Sequence, residues 1–160
     1  MDSGKITRIL EGTVSTFGGV YPINQLPAPT HLPFTIVCNT QKDCKKGEHW
    51  IAIHIDAARQ GEYFDSYGLY PLHLEFKSYL DRYTRSWTYN GKRLQNLFSS
   101  TCGQYCIFYT IYRNRGHSMH DIVDVFTLDY HDNDVRVNAF VNRHFATHAQ
   151  VYDLPFMFDM

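Results

Sequence analysis

The chain has 160 residues, of which 44% are hydrophobic and 16% aromatic, and its formal net charge is −1. That hydrophobic share excludes a disordered chain, and the near-zero charge leaves no global positive field to draw it onto nucleic acid or acidic lipid. The length fits one domain over residues 1–160 with a single compact core.

Four cysteines (Cys38, Cys44, Cys102, Cys106) are too few for a disulfide scaffold in a chain of this length. The start, MDSGKITRIL, lacks the sustained apolar core of a signal peptide, and no apolar run approaches the ~20 residues of a membrane span. A soluble intracellular protein with reduced thiols and no membrane partner is expected.

Gly18, Gly19 and four prolines (Pro22, Pro27, Pro29, Pro33) punctuate residues 1–35, which predicts a turn-rich lead-in after one short helix near residues 4–10. Residues 34–39, FTIVCN, predict a strand, and the polar TQKDCKKGE that follows predicts a loop. Residues 49–56 and 62–66, separated by the turn-like AARQG, predict an antiparallel hairpin. Behind Pro71, the residues Leu72, Phe76, Tyr79, Leu80 and Tyr83 recur at helical spacing and predict a helix over 71–86. A short strand is expected within 86–97, broken at Asn90-Gly91. Residues 102–113, CGQYCIFYTIYR, predict a buried helix ending at Gly116, and two further helices are expected at about 120–126 and 132–146. The expected fold is α+β, a mixed central β-sheet packed against the helix that carries Cys102.

Four residues along this plan suit acyl transfer by a thiolate. Cys102 follows Ser99-Ser100-Thr101 at the start of the apolar helix, where a helix N-terminus stabilises negative charge and lowers a thiol pKa. Gly103 beside it leaves room for a substrate backbone. Cys106, one turn on, points inward as a small core residue. His49 opens a strand, and Asp65 near the end of the partner strand can orient its imidazole; Asp56 is on the same hairpin arm as His49 and too close in sequence to face it. Gln95, seven residues before Cys102, can offer an amide to an oxyanion alongside the Cys102 N–H, with Asn96 as its neighbour in an unknown register. Trp50 reads as an aromatic wall and His54 as an ordinary strand histidine.

The order His49-Trp50, then Asp65 within YFDSYG, then Gln95, then Cys102-Gly103 with Cys106 resembles the adenovirus endopeptidase (adenain) family and, more distantly, the SUMO-specific proteases. Residues 63–68 match that family's YLFEPFG-like strand end with Asp for Glu, and Phe17, Gly19 and Tyr21 match its FxGxY-type entry segment. The resemblance implies a papain-like architecture and a Cys-His-Asp endopeptidase with Trp50 and Gly103 in the substrate cleft. It implies cleavage after small residues such as glycine. Viral or virus-like transposon structural precursors, such as capsid or core proteins, would be its substrates, in the virion and the host nucleus or cytoplasm.

The family's activating peptide forms a disulfide with a cysteine about a dozen residues before the glutamine, but LDRYTRSWTY at that place has none. The chemistry itself needs no cofactor; a peptide or DNA activator enters only by resemblance, and the near-neutral charge weakens the case for DNA. The same catalytic set would serve a deSUMOylase or deubiquitinase-like isopeptidase, and an inactive homologue acting as a binding module is the reading from another class. A zinc site from Cys38, Cys44, Cys102, Cys106 and histidines is the remaining alternative, but neither cysteine spacing is that of a zinc knuckle, so no metal is expected. Lys42, Lys45 and Lys46 read as a solvated basic loop, and His131, His144 and His148 as surface residues.

Overall fold

The computed structural model describes residues 1–42 and 49–146. Cys44, Lys45, Lys46 and His148 lie outside the described residues. Its elements are α1 (Ser3–Leu10), β1 (Phe17–Pro22), β2 (Phe34–Asn39), β3 (Trp50–Ile55), β4 (Gln60–Phe64), α2 (Leu74–Tyr83), β5 (Ser86–Tyr89), α3 (Cys102–Asn114), α4 (Met119–Asp124) and α5 (Tyr130–Ala146). The five strands form one mixed sheet in sequence order, antiparallel in the middle and parallel at both edges.

Every residue of β2 and β3 is buried, because both faces of the sheet are covered. Alternation along the strands sorts their side chains between two cores. Val37, Ala52 and Phe64 meet α1, α3, α4 and α5 on one face, while Ile36, Cys38, Ile51, Ile53, Ile55 and Tyr63 meet α2 on the other. Each such side chain contributes roughly 1.5–3 kcal/mol relative to exposure. The predicted hairpin forms, with its turn carried by Arg59 at φ 62 and closed by Arg59 N–H to the Asp56 carbonyl at 3.0 Å.

β1 differs from the sequence expectation of a turn-rich lead-in. Its glycines answer to packing: a Cβ on Gly18 would lie 2.2 Å from the Phe34 ring, so only glycine lets β1 run beside β2. The helix predicted behind Pro71 begins later, at Leu74, and Leu72 is 78% exposed because it precedes the first helical turn. The strand expected within 86–97 is confined to Ser86–Tyr89.

α3 crosses the sheet and is buried along most of its length. Its C-terminal half is tied to β4 by Arg113 Nε to Glu62 Oε2 at 2.8 Å and by the Tyr109 hydroxyl donating to the same oxygen at 2.5 Å. Its first turn is tied to α5, where Asp134 Oδ1 accepts from the hydroxyls of Thr101 and Tyr105, each at 2.9 Å. Among the described residues no helix is long and apolar enough to cross a membrane.

Candidate active site

β3 begins and β4 ends beside the N-terminus of α3, and the site assembles there. His49 is the residue before β3 and Asp65 the residue after β4. The side chains meet at 2.9 Å, His49 Nε2 to Asp65 Oδ1, with Asp65 3% exposed. Asp65 is itself gripped along its backbone: its N–H donates to Asn90 Oδ1 at 2.8 Å and its carbonyl accepts from Asn90 Nδ2 at 2.7 Å. Asn90, read from sequence only as a turn former, is a support of the acid.

With Nε2 engaged by Asp65, the other ring nitrogen is left free of that contact, and Cys102 at the head of α3 is near enough for the two groups to shift each other's pKa. Burial pushes the Cys102 thiol up, yet the His49 hydrogen bond and charge, together with the backbone N–H groups of Trp50 and Gly103, bring it below the ordinary thiol value. Burial likewise lowers the His49 pKa, and the hydrogen bonds and charges of Asp65 and Cys102 outweigh it, raising the imidazole to about 9. The two opposite movements favour a thiolate–imidazolium pair. Burial instead raises the thiols of Cys38 and Cys106, so both stay protonated. These two lie in cores on opposite faces of the sheet, and among the described residues no three metal-ligating side chains gather.

Gln95 is placed differently from the sequence expectation. It is fully buried, and both amide hydrogens are committed to Ser99, to its carbonyl at 3.0 Å and its hydroxyl at 3.1 Å. Its Oε1 accepts from Ser66 Oγ at 2.6 Å. In this arrangement the amide is a structural bridge with no hydrogen left to offer an oxyanion, and its two neighbours, not the cleft, set its direction. The Cys102 N–H, in the first turn of α3, has no helical carbonyl behind it and remains a donor.

The room expected beside Gly103 is also taken. A Cβ there would meet Met1 Cβ at 3.1 Å, Met1 Sδ at 3.2 Å and Trp50 Cδ1 at 3.3 Å. Trp50 is 9% exposed, packs in the core and donates from Nε1 to the Met1 carbonyl at 3.1 Å. His54 faces the α3 side of the sheet, 3% exposed, with Nδ1 2.7 Å from Thr35 Oγ1; burial and then the Arg113 charge lower its pKa to about 4.

Sequence reasoning missed Tyr67. Its ring stacks on the His49 imidazole with centroids 5.0 Å apart and planes at 28°. The hairpin register could have found it: Ala52 pairs with Phe64, and three steps outward along each strand bring His49 opposite Tyr67.

No family model matches the sequence, and no curated protein matches it. Solved structures do. The fold is similar to the ASFV pS273R protease (24% identity, 65% of this chain and 42% of that one, TM-score 0.49). It is similar to ChlaDub1 from Chlamydia trachomatis (17% identity, 75% of this chain and 62% of that one, TM-score 0.56). It is also similar to the central domain of the uncharacterized Lpg1148 protein from Legionella pneumophila (10% identity, 92% of this chain and 98% of that one, TM-score 0.57). The chain therefore spans 42% and 62% of the lengths of the first two. The α+β fold, a five-stranded mixed sheet with the helix of Cys102 across it, is shared with ChlaDub1 and the Lpg1148 domain.

Proposed function

We propose that the protein is a cysteine peptidase with Cys102 as nucleophile, His49 as base and Asp65 as the group that orients the base. The observation that carries this reading is the His49–Asp65 contact, Nε2 to Oδ1 at 2.9 Å, set beside Cys102 at the N-terminus of α3. The thiolate attacks the scissile carbonyl, His49⁺ protonates the leaving amine, and water hydrolyses the thioester. The Cys102 N–H at the head of α3 is one donor for the oxyanion. Gln95 supplies the second only if its amide leaves Ser99.

Protein substrates fit the site. Cys102 is 7% exposed and Trp50 9%, so the approach is narrow and suits glycine or another small residue at the cut. By the adenovirus-like motifs the substrates are structural precursors of a virus or a virus-like transposon. A second reading, an isopeptidase acting on ubiquitin-like conjugates, is supported by the likeness to ChlaDub1 and by the exposed Leu69, Tyr70, Leu72 and Leu74 that follow the acid and offer an apolar surface to a folded substrate.

The test is hydrolysis of glycine-containing fluorogenic peptides and of ubiquitin and SUMO C-terminal fluorogenic conjugates by the wild type and by Cys102→Ala, each with and without DNA. Cleavage of the peptides that vanishes in Cys102→Ala supports the first reading. Cleavage confined to the ubiquitin-like conjugates supports the second. Cleavage surviving in Cys102→Ala overturns both.

A further inference from the structure

The geometry points to Tyr67 as a positioning residue that holds the His49 imidazole in the plane from which it faces Cys102. This rests on the peptidase reading above and concerns a residue outside the three that react.

Two independent contacts from one residue converge on the His49–Asp65 pair. The Tyr67 backbone N–H donates to Asp65 Oδ1 at 2.8 Å, the same oxygen that His49 Nε2 meets at 2.9 Å. Its ring lies on the imidazole at 5.0 Å and 28°. A histidine ring turns on a soft, roughly two-fold torsion, so a hydrogen bond at one edge does not by itself fix its plane. A flat neighbour stacked on its face does. The negative face of the phenol also attracts imidazolium more than neutral imidazole, which favours the protonation state that the thiolate needs.

The turn that carries Tyr67 is held as firmly as its ring. Gly68 N–H donates to the Asp65 carbonyl at 2.8 Å, and Gly68 takes φ +69, a left-handed backbone open to glycine. Ser66, on the other side, donates to the buried Gln95. Tyr67 is thus fixed in backbone on both sides, while its side chain is only part-buried and makes its closest ring contact with His49. The titratable groups that act on His49 are Asp65 and Cys102, and those that act on Tyr67 are Cys102, Asp65 and Asp134.

The experiment is the pH profile of Cys102 alkylation by iodoacetamide, read by mass spectrometry on the Cys102 peptide, for the wild type, Tyr67→Phe, Tyr67→Leu and His49→Ala. Thermal melts of each variant check that it folds. The wild type should alkylate at a pH below an ordinary thiol, and His49→Ala should lose that shift. Tyr67→Phe, which keeps the stacked ring, should match the wild type. Tyr67→Leu should move the acid limb upward, slowing alkylation about threefold on that limb, the scale of an exposed cation–π contact. A wild-type profile in Tyr67→Leu overturns the inference while leaving the peptidase reading intact, and so does a Tyr67→Phe profile as displaced as that of Tyr67→Leu. A wild type that alkylates like His49→Ala overturns the peptidase reading itself.

Discussion

Ser66 and Gln95 share a buried hydrogen bond of 2.6 Å, and it joins the two walls of the site. Ser66 follows the acid. From Gln95 the chain runs to the Ser99 hydroxyl at 3.1 Å, on to Thr101 Oγ1 at 3.0 Å, and then to Asp134 at 2.9 Å. Thr101 precedes the nucleophile, so a continuous polar path sets the spacing between Asp65 and Cys102.

Gln95→Ala leaves Ser66 and Ser99 without their buried partner, and we expect it to cost about 1–3 kcal/mol of stability along with reduced peptidase turnover. Gln95→Glu replaces the donor that the Ser99 carbonyl needs and should be at least as damaging. Denaturant melts and kcat measured side by side check both. If Gln95→Ala melts like the wild type and loses only turnover, the bridge is not structural and the amide serves the oxyanion instead.

Activity should follow the thiolate–imidazolium pair. The His49 pKa is raised to about 9, so the pair persists below that pH and is lost as pH rises through it. The Cys102 pKa is lowered, so on the acid side the pair is lost as pH falls through that depressed value. A bell-shaped kcat/KM profile with an alkaline limb near pH 9 is expected. Asp65→Asn removes the largest influence raising the imidazole, and should draw the alkaline limb down while lowering kcat/KM about tenfold or more. An unmoved limb would mean that Asp65 does not tune His49.

His54 gives the fold its own acid sensitivity. Its pKa falls from 6.5 unfolded to about 4 folded, so the folded state is favoured above pH 6.5 and loses that advantage as pH falls toward 4. The loss amounts to about 3 kcal/mol over that interval. His54→Gln, which can still reach Thr35, should flatten the Tm–pH curve there. A curve as steep as the wild type's would assign the acid sensitivity to other groups.

Two glycines near the site should differ in their response to alanine, as read by chemical denaturation. At Gly68 a Cβ would sit 2.5 Å from the Lys92 carbonyl carbon, on backbone that cannot turn away, in addition to the left-handed φ. Gly68→Ala should cost about 2–4 kcal/mol. At Gly103 the crowding atoms include the Met1 side chain, which can swing, and alanine favours the helix by about 1 kcal/mol. Gly103→Ala should therefore stay within about 1 kcal/mol of the wild type in chemical denaturation.

The elements with a strong local pattern were readable in advance. β2, the β3–β4 hairpin and α3 follow from β-branched runs, a polar turn and a long apolar helix, and the positions of His49, Asp65 and Cys102 follow from those elements. β1 was hidden because Gly18 reflects a contact with Phe34, a residue sixteen positions away, and local propensity does not see it. Gln95 was placed by its spacing from Cys102, but spacing says nothing about whether a buried amide will find Ser66 and Ser99 first. Gly103 looked open in sequence because Met1, more than a hundred residues away, is what fills its side.

α3 spans 13 residues, about 20 Å, and is latched at both ends, to Asp134 near Cys102 and to Glu62 near Arg113. A rod pinned at two points cannot slide or pivot without breaking the Asp134 or the Glu62 contact. The sulfur is accordingly the stationary part of the machine. On the peptidase reading, adjustment to an incoming chain falls to the Met1 segment, which lies against Gly103 and Trp50.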